Sequence, residues 1–207
     1  MTTLSDIRAL AAALSLVTFA TVPAALAQGT GDVDRGRQFG FTCLGCHGIA
    51  GYRNAYPSYR VPKLEGQKAA YIETALKAYA AGTRPHPTMQ AQAVSLDDED
   101  VADLVAWIAE GETATDDLDA DTPGLPEVAR TCVTCHGTAG KDVVPSPPVL
   151  SGQHESYLRH ALGQYQDGER GQNVMNAFAA GLTPADMERI AAFYASRDGL
   201  TTLAEGE

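Results

Sequence analysis

All four cysteines of this 207-residue chain fall in two copies of one pattern. The first reads Cys43-Leu44-Gly45-Cys46-His47-Gly48, the second Cys132-Val133-Thr134-Cys135-His136-Gly137. The shared C-x-x-C-H spacing is the signature of covalent c-type haem attachment. Two thiols add across the two vinyl groups on one porphyrin edge, and the adjacent imidazole reaches under the ring to the iron. Zinc also takes paired cysteines, but such pairs usually lie about 12–20 residues apart. Here Cys46 and Cys132 are 86 positions apart. A thioredoxin-like pair needs a βαβ setting, and no part of the chain alternates as a strand does. Two short-loop disulfides would leave both histidines unexplained.

The repeat runs well past the cysteines. Cys43 and Cys132 differ by 89 positions, and from Leu64 onward the offset settles at 86. Leu64-Glu65-Gly66-Gln67 matches Leu150-Ser151-Gly152-Gln153, and Tyr71, Leu76, Tyr79, Gly82 and Arg84 match Tyr157, Leu162, Tyr165, Gly168 and Arg170. Met89 matches Met175, and Trp107 matches Phe193. The lost three residues fall in the longer first loop, GYRNAYPSYR. A constant offset of this length marks a duplicated domain.

Both copies read as helical. Tyr71, Ile72, Ala75, Leu76 and Tyr79 form a stripe at helical spacing, as do Tyr157, Leu158, Ala161, Leu162 and Tyr165. Gly82 and Gly168 stand where a left-handed helix end is expected. Ser95 with Asp98 resembles a capping box, and Thr183-Pro184-x-Asp186 adds proline at the first helical position. The acidic run Asp97-Asp98-Glu99-Asp100 suits a first helical turn, an interaction site being the other reading. Val101, Leu104, Val105 and Ile108 form the expected buried face, and Met187 is read as core.

Two methionines occupy matching positions. A thioether on iron stabilises the ferrous state, so Met89 and Met175 are the expected far-side ligands opposite His47 and His136. Because His86, His154 and His160 have no histidine at the matching position, they read as surface or supporting groups. A proline carbonyl, from Pro62 or Pro148, is a candidate acceptor for the Nδ1–H of the ligating histidine; an ordinary turn is the alternative. Arg84 and Arg170 share one duty, either a haem propionate, a contact between domains or a helix-end charge.

Residues 1–27 read as an exported leader: a 14-residue apolar run from Ala9 to Val22, then Ala25-Leu26-Ala27 as a cleavage site. An uncleaved anchor is the alternative. Cleavage after Ala27 removes one acid and one base, so the charge stays at −11. That balance excludes nucleic acid as a partner, since phosphate binding needs clustered Lys and Arg. It favours basic docking surfaces, with association weakened by salt. Residues 111–126 are polar, acidic and bear Pro and Gly, and read as a linker. The expected organisation is a leader over 1–27, one domain over 28–110, the linker, and a second domain over 127–207.

With two haem motifs, two matched methionines and L-x-G-Q…Y…A-L…Y…G-x-R…M in each half, the chain resembles the dihaem cytochrome c4 family. The resemblance implies an all-α fold of two tandem class I cytochrome c domains, each wrapped around one covalent haem c. It implies Cys43, Cys46, Cys132 and Cys135 as haem tethers and His47, Met89, His136 and Met175 as iron ligands. It implies a periplasmic carrier, not an enzyme, passing electrons from a cytochrome bc complex or other donor to a terminal oxidase or reductase, with peripheral membrane association open. A cytochrome subunit of a larger enzyme, such as flavocytochrome sulfide dehydrogenase, is the alternative. A dihaem peroxidase needs a displaceable ligand, which a Met at both sixth positions opposes. One departure is local: Gly36, seven before Cys43, suits a close helix crossing, whereas Leu125 and Pro126 stand at the matching place in the second half. The second domain's first helix is expected to be short or altered.

Overall fold

The computed structural model describes residues 31–110, 114, 118–137, 147–171 and 173–203. The expected leader, several linker residues and the loop after the second cysteine motif lie outside the described residues. The first half carries α1 (Val33–Phe39), α2 (Phe41–His47), α3 (Ala69–Ala80), α4 (Pro87–Ala93) and α5 (Asp98–Ile108). The second carries a short 3-10 turn (Glu127–Ala129), α6 (Val133–His136), α7 (Glu155–Gln166), α8 (Val174–Ala179) and α9 (Pro184–Ala195). Among the described residues the only extended pairings are two isolated bridges, Arg53 with Arg60 and Glu65 with Thr201. The fold is thus helical, in two tandem copies, as the periodicity implies.

Helix α1 is started by Asp32, whose carboxylate accepts the Arg35 N–H at 3.0 Å. It lies across α5 at very close range. A Cβ on Gly36 would stand 2.0 Å from the Asp103 carbonyl oxygen and 3.0 Å from the Trp107 Cβ, so only glycine permits this crossing. Asp103, 3% exposed, accepts the Asp32 N–H at 2.7 Å. Arg35 lies against Asp100 and Asp103 at 3.1 and 3.3 Å and also pairs with Glu99. Part of the acidic run therefore binds α1 rather than only facing water. Helix α5 is capped by Asp97 and Asp100 in a reciprocal box, not by Ser95 and Asp98. The Ser95 hydroxyl instead donates to the Gln92 carbonyl at 3.0 Å. The observed box has the same i, i+3 spacing, two residues further along the chain.

In the second half Thr183 and Asp186 form the expected box, with Pro184 opening α9. Gly82 and Gly168 follow α3 and α7 with φ of 73° each, as expected of left-handed helix ends. The counterpart of α1 shrinks to the three-residue turn Glu127–Ala129, because Pro126 cannot sit inside a helix. Met187 is buried.

The junction is built from repeated residues. The Gln67 amide donates to the Val149 carbonyl at 3.1 Å and accepts the Val149 N–H at 2.9 Å. Its counterpart Gln153 donates to the Lys63 carbonyl and accepts the Lys63 N–H, both at 3.0 Å. The tails also cross over. Leu203, which follows α9, is buried with Ile72, Leu104, Trp107 and Ile108 of the first half. Leu118, which follows α5, is buried with Ala129, Val133 and Ile190 of the second. The first core is thus completed by a leucine from the second half's tail, and the second core by a leucine from the linker.

Candidate haem centres

Helix α2 presents Cys43, Cys46 and His47 within its last two turns. All three line a cavity of about 260 Å³ that Met89 of α4 also lines. Ile72, Leu76, Leu104 and Ile108 give that cavity apolar walls. Four residues 46 positions apart in the chain, the expected tethers and ligands of the first centre, therefore face one space. Neither cysteine pair forms a disulfide. Burial pushes the Cys43 and Cys132 thiols above their usual range.

The histidine is held by its far nitrogen. His47 Nδ1 lies 2.8 Å from the Pro62 carbonyl oxygen. Because a carbonyl only accepts, Nδ1 carries the proton and Nε2 keeps its lone pair. Burial lowers the His47 pKa and keeps the ring neutral, as a metal ligand must be. His136 repeats the contact, with Nδ1 3.0 Å from the Pro148 carbonyl. The proline carbonyls singled out by the repeat are thus the acceptors, not turn residues alone.

The methionines sit at helix starts. Met89 donates its N–H to His86 Nδ1 at 3.1 Å, so His86 caps α4. Met175 donates its N–H to Asn173 Oδ1 at 2.8 Å at the start of α8. Different residues do one job in the two halves, which is why His86 has no duplicate. In the second half Cys132 precedes α6, and Cys135 and His136 lie within it. Residues 138–146 of that half lie outside the described residues.

Arg84 and Arg170 meet at the junction, 8% and 4% exposed. Arg84 donates to the Tyr71 hydroxyl at 3.2 Å and to the Tyr157 hydroxyl at 2.7 Å. Arg170 donates to the Tyr71 hydroxyl at 3.0 Å. Arg84 also lies over the Tyr79 ring and Arg170 over the Tyr165 ring. Burial alone would raise the Tyr71 phenol, but the two guanidinium groups outweigh it and bring the pKa to about 8. Among the described residues neither arginine has a carboxylate within ion-pair distance. Two buried cations this close call for anions. A haem, with an apolar macrocycle and two carboxylates, fits both the apolar cavity that Arg84 borders and this excess of buried positive charge.

Sequence reasoning missed Tyr59. It lies buried in the longer first loop, stacked on His160 with ring centroids 4.2 Å apart. The extra loop length was its only signal. The roles of Gln67 and Gln153 were visible only as a repeated L-x-G-Q.

Comparisons with known proteins agree with this geometry. The family model described as cytochrome c matches residues 33–112 and 127–197. Cytochrome c4 of Azotobacter vinelandii is 29% identical over 195 residues, covering 81% of this chain and 90% of that protein. A protein named thiosulfate dehydrogenase electron acceptor, from Stutzerimonas stutzeri (strain A1501), is 30% identical over 74% of this chain and 78% of its own length. Among solved structures, reduced recombinant cytochrome c4 from Pseudomonas stutzeri superposes with a TM-score of 0.64 at 25% identity, over 83% of this chain and all of that one. Thiosulfate dehydrogenase (TsdBA) from Marichromatium purpuratum gives a TM-score of 0.60 at 30% identity over 80% of this chain, which spans only 40% of that one.

Proposed function

The chain belongs to the cytochrome c family, and from that premise we propose that it is a periplasmic carrier linking a respiratory donor to a terminal oxidase or reductase. It is a dihaem electron-transfer protein, not an enzyme, and binds two covalent haems c. The observation that carries the reading is the pair His47–Pro62 and His136–Pro148, one device built twice beside each cysteine motif.

Each residue has a part. Cys43 and Cys46 tether one haem by thioether bonds, and Cys132 and Cys135 the other. His47 and His136 would bind iron through Nε2, their rings fixed by the proline carbonyls. Met89 and Met175 would supply the thioether ligands, which favour the ferrous state. Arg84 and Arg170 would pair with propionates out of water and, as cations, would raise the potential of the centre they face. Bound haem supplies an iron that changes oxidation state by one electron. A histidine and a methionine for each iron would leave no position for a substrate. The proposed domains are 28–110 and 127–207, joined through 111–126, after removal of residues 1–27 as a leader. N-terminal sequencing of the exported protein tests the last point: Gln28 is the expected first residue.

A second reading is the acceptor subunit of a sulfur-compound oxidoreductase. The likeness to the thiosulfate dehydrogenase electron acceptor favours it. Stopped-flow reduction by a purified thiosulfate dehydrogenase, compared with reduction by a cytochrome bc complex, separates the two by rate.

A further inference from the structure

The longer first loop folds as a small hairpin. Asn54 N–H donates to the Tyr59 carbonyl at 2.9 Å and Val61 N–H to the Tyr52 carbonyl at 2.8 Å, which brackets Arg53 opposite Arg60. Residues opposite each other in such a pair project to the same side, and like charges there are destabilising. The inner side carries Tyr59, which is buried, while Arg53 and Arg60 are exposed. The hairpin is tied to the second half, since Arg60 N–H donates to the Ser156 hydroxyl at 3.0 Å. Lys63, just beyond, donates through Nζ to the Gly152 carbonyl at 2.6 Å. No carboxylate forms an ion pair with Arg53, Arg60 or Lys63 among the described residues, although Glu155 is exposed in the neighbouring first turn of α7. Tyr56 at the hairpin tip is 97% exposed and Tyr52 is 43% exposed. A chain of net charge −11 thus exposes Arg53 and Arg60 side by side on this hairpin, with Lys63 half-buried beyond them and Tyr56 exposed at the tip.

We propose that this hairpin face docks an acidic face of the partner protein that exchanges electrons with the first centre. The proposal rests on the carrier reading. Charge complementarity selects the occupant, because two exposed arginines without ion pairs among the described residues attract an acidic face that the net charge of −11 otherwise repels. Tyr and Arg are the residue types enriched in protein interfaces. Location supports it too: the inner side of the same hairpin, through Asn54, Tyr59, Val61 and Pro62, lines the first cavity. A partner seated here is separated from that centre by one layer of chain. Burial, followed by the fields of Lys63, Arg60 and Arg53, also holds His154 down to about 4, as a concentrated positive field requires.

The test is fluorescence anisotropy of a labelled oligoglutamate peptide against the holoprotein at low and high salt. Wild type binds at low salt and releases the peptide as salt rises. R53E/R60E weakens binding about tenfold, R53Q/R60Q weakens it less, and R53K/R60K retains it. Haem content and both low-spin spectra stay at wild-type values in all three, which separates loss of docking from failure of the haem assignment. Equal binding by R53E/R60E overturns the proposal, as does absence of peptide binding by wild type. Sedimentation of wild type with phosphatidylglycerol vesicles, without peptide binding, also overturns it and assigns the face to a membrane.

Discussion

Gln67 and Gln153 clamp the two halves with the same pair of hydrogen bonds made in opposite directions. Each side-chain amide pairs with both backbone groups of one residue across the junction, Val149 for Gln67 and Lys63 for Gln153. Both glutamines are buried. Gln67→Ala leaves the Val149 N–H and carbonyl without partners where that residue is 2% exposed. At about 1–3 kcal/mol for a buried group left unpaired, we expect a loss of about 2 kcal/mol or more in denaturant unfolding of the holoprotein. A change within about 0.5 kcal/mol, the range of ordinary surface substitutions, would mean that the clamp adds little.

Leu203 is the last core residue of the first half although it follows the last helix of the second. Leu203→Ala should cost about 2–5 kcal/mol, the usual range for a buried leucine truncated to alanine. Amide exchange should rise in α3 and α5, which it touches, more than in α9. Exchange confined to the second half would show that the crossed tail does not support the first core.

Gly36 and Gly45 offer a contrast within neighbouring helices. Gly36→Ala places a methyl 2.0 Å from the Asp103 oxygen, so α1 must move off α5 at a cost of about 1–3 kcal/mol or more. Gly45 has nothing within 4 Å of a built Cβ, and Gly45→Ala inside α2 should stabilise by about 0.5–1 kcal/mol. Thermal unfolding of both variants reads the difference in sign.

His154 has a folded pKa of about 4, lowered by burial and then by Lys63, Arg60 and Arg53. A depressed histidine binds its proton less readily in the folded chain than in the unfolded one. Its contribution to stability is therefore present above the unfolded value of about 6.5 and is lost as pH falls from there to about 4. NMR titration of the reduced protein should place His154 near 4 and move it upward in R53Q/R60Q. An unchanged value would mean that burial alone sets it.

Met175→Ala should open one iron to added cyanide or imidazole and lower the potential of that centre, leaving the Met89 centre nearly unchanged. Potentials equal to wild type at both centres would remove Met175 from the ligand set.

What could be read from the chain beforehand follows physical lines. Duplication exposed whatever both halves share: the cysteine motifs, the two methionines, the proline carbonyls and the glycine helix ends. Gly36 was legible because close crossing has a residue type of its own, and Pro126 forecast the shrunken helix for the same reason. The junction was not legible. Gln67 and Gln153 look like loop residues, and nothing local says that their partners lie across the molecule. Arg84 and Arg170 were flagged as a pair, but their convergence on Tyr71 depends on how the halves face each other. Ser95 with Asp98 has the spacing of a capping box, but α5 is capped two residues later, by Asp97 with Asp100. Tyr59 and the arginine pair of the hairpin have no counterparts, so the repeat could not mark them.

The central claim is two complete haem centres in one chain. Spectropotentiometric titration of the purified exported protein, with haem quantified per chain, tests it most directly. The account predicts two haems, both low-spin in both oxidation states, each taking one electron at positive potential. One haem per chain, or a high-spin haem that binds cyanide in the wild-type protein without displacing a ligand, would contradict it.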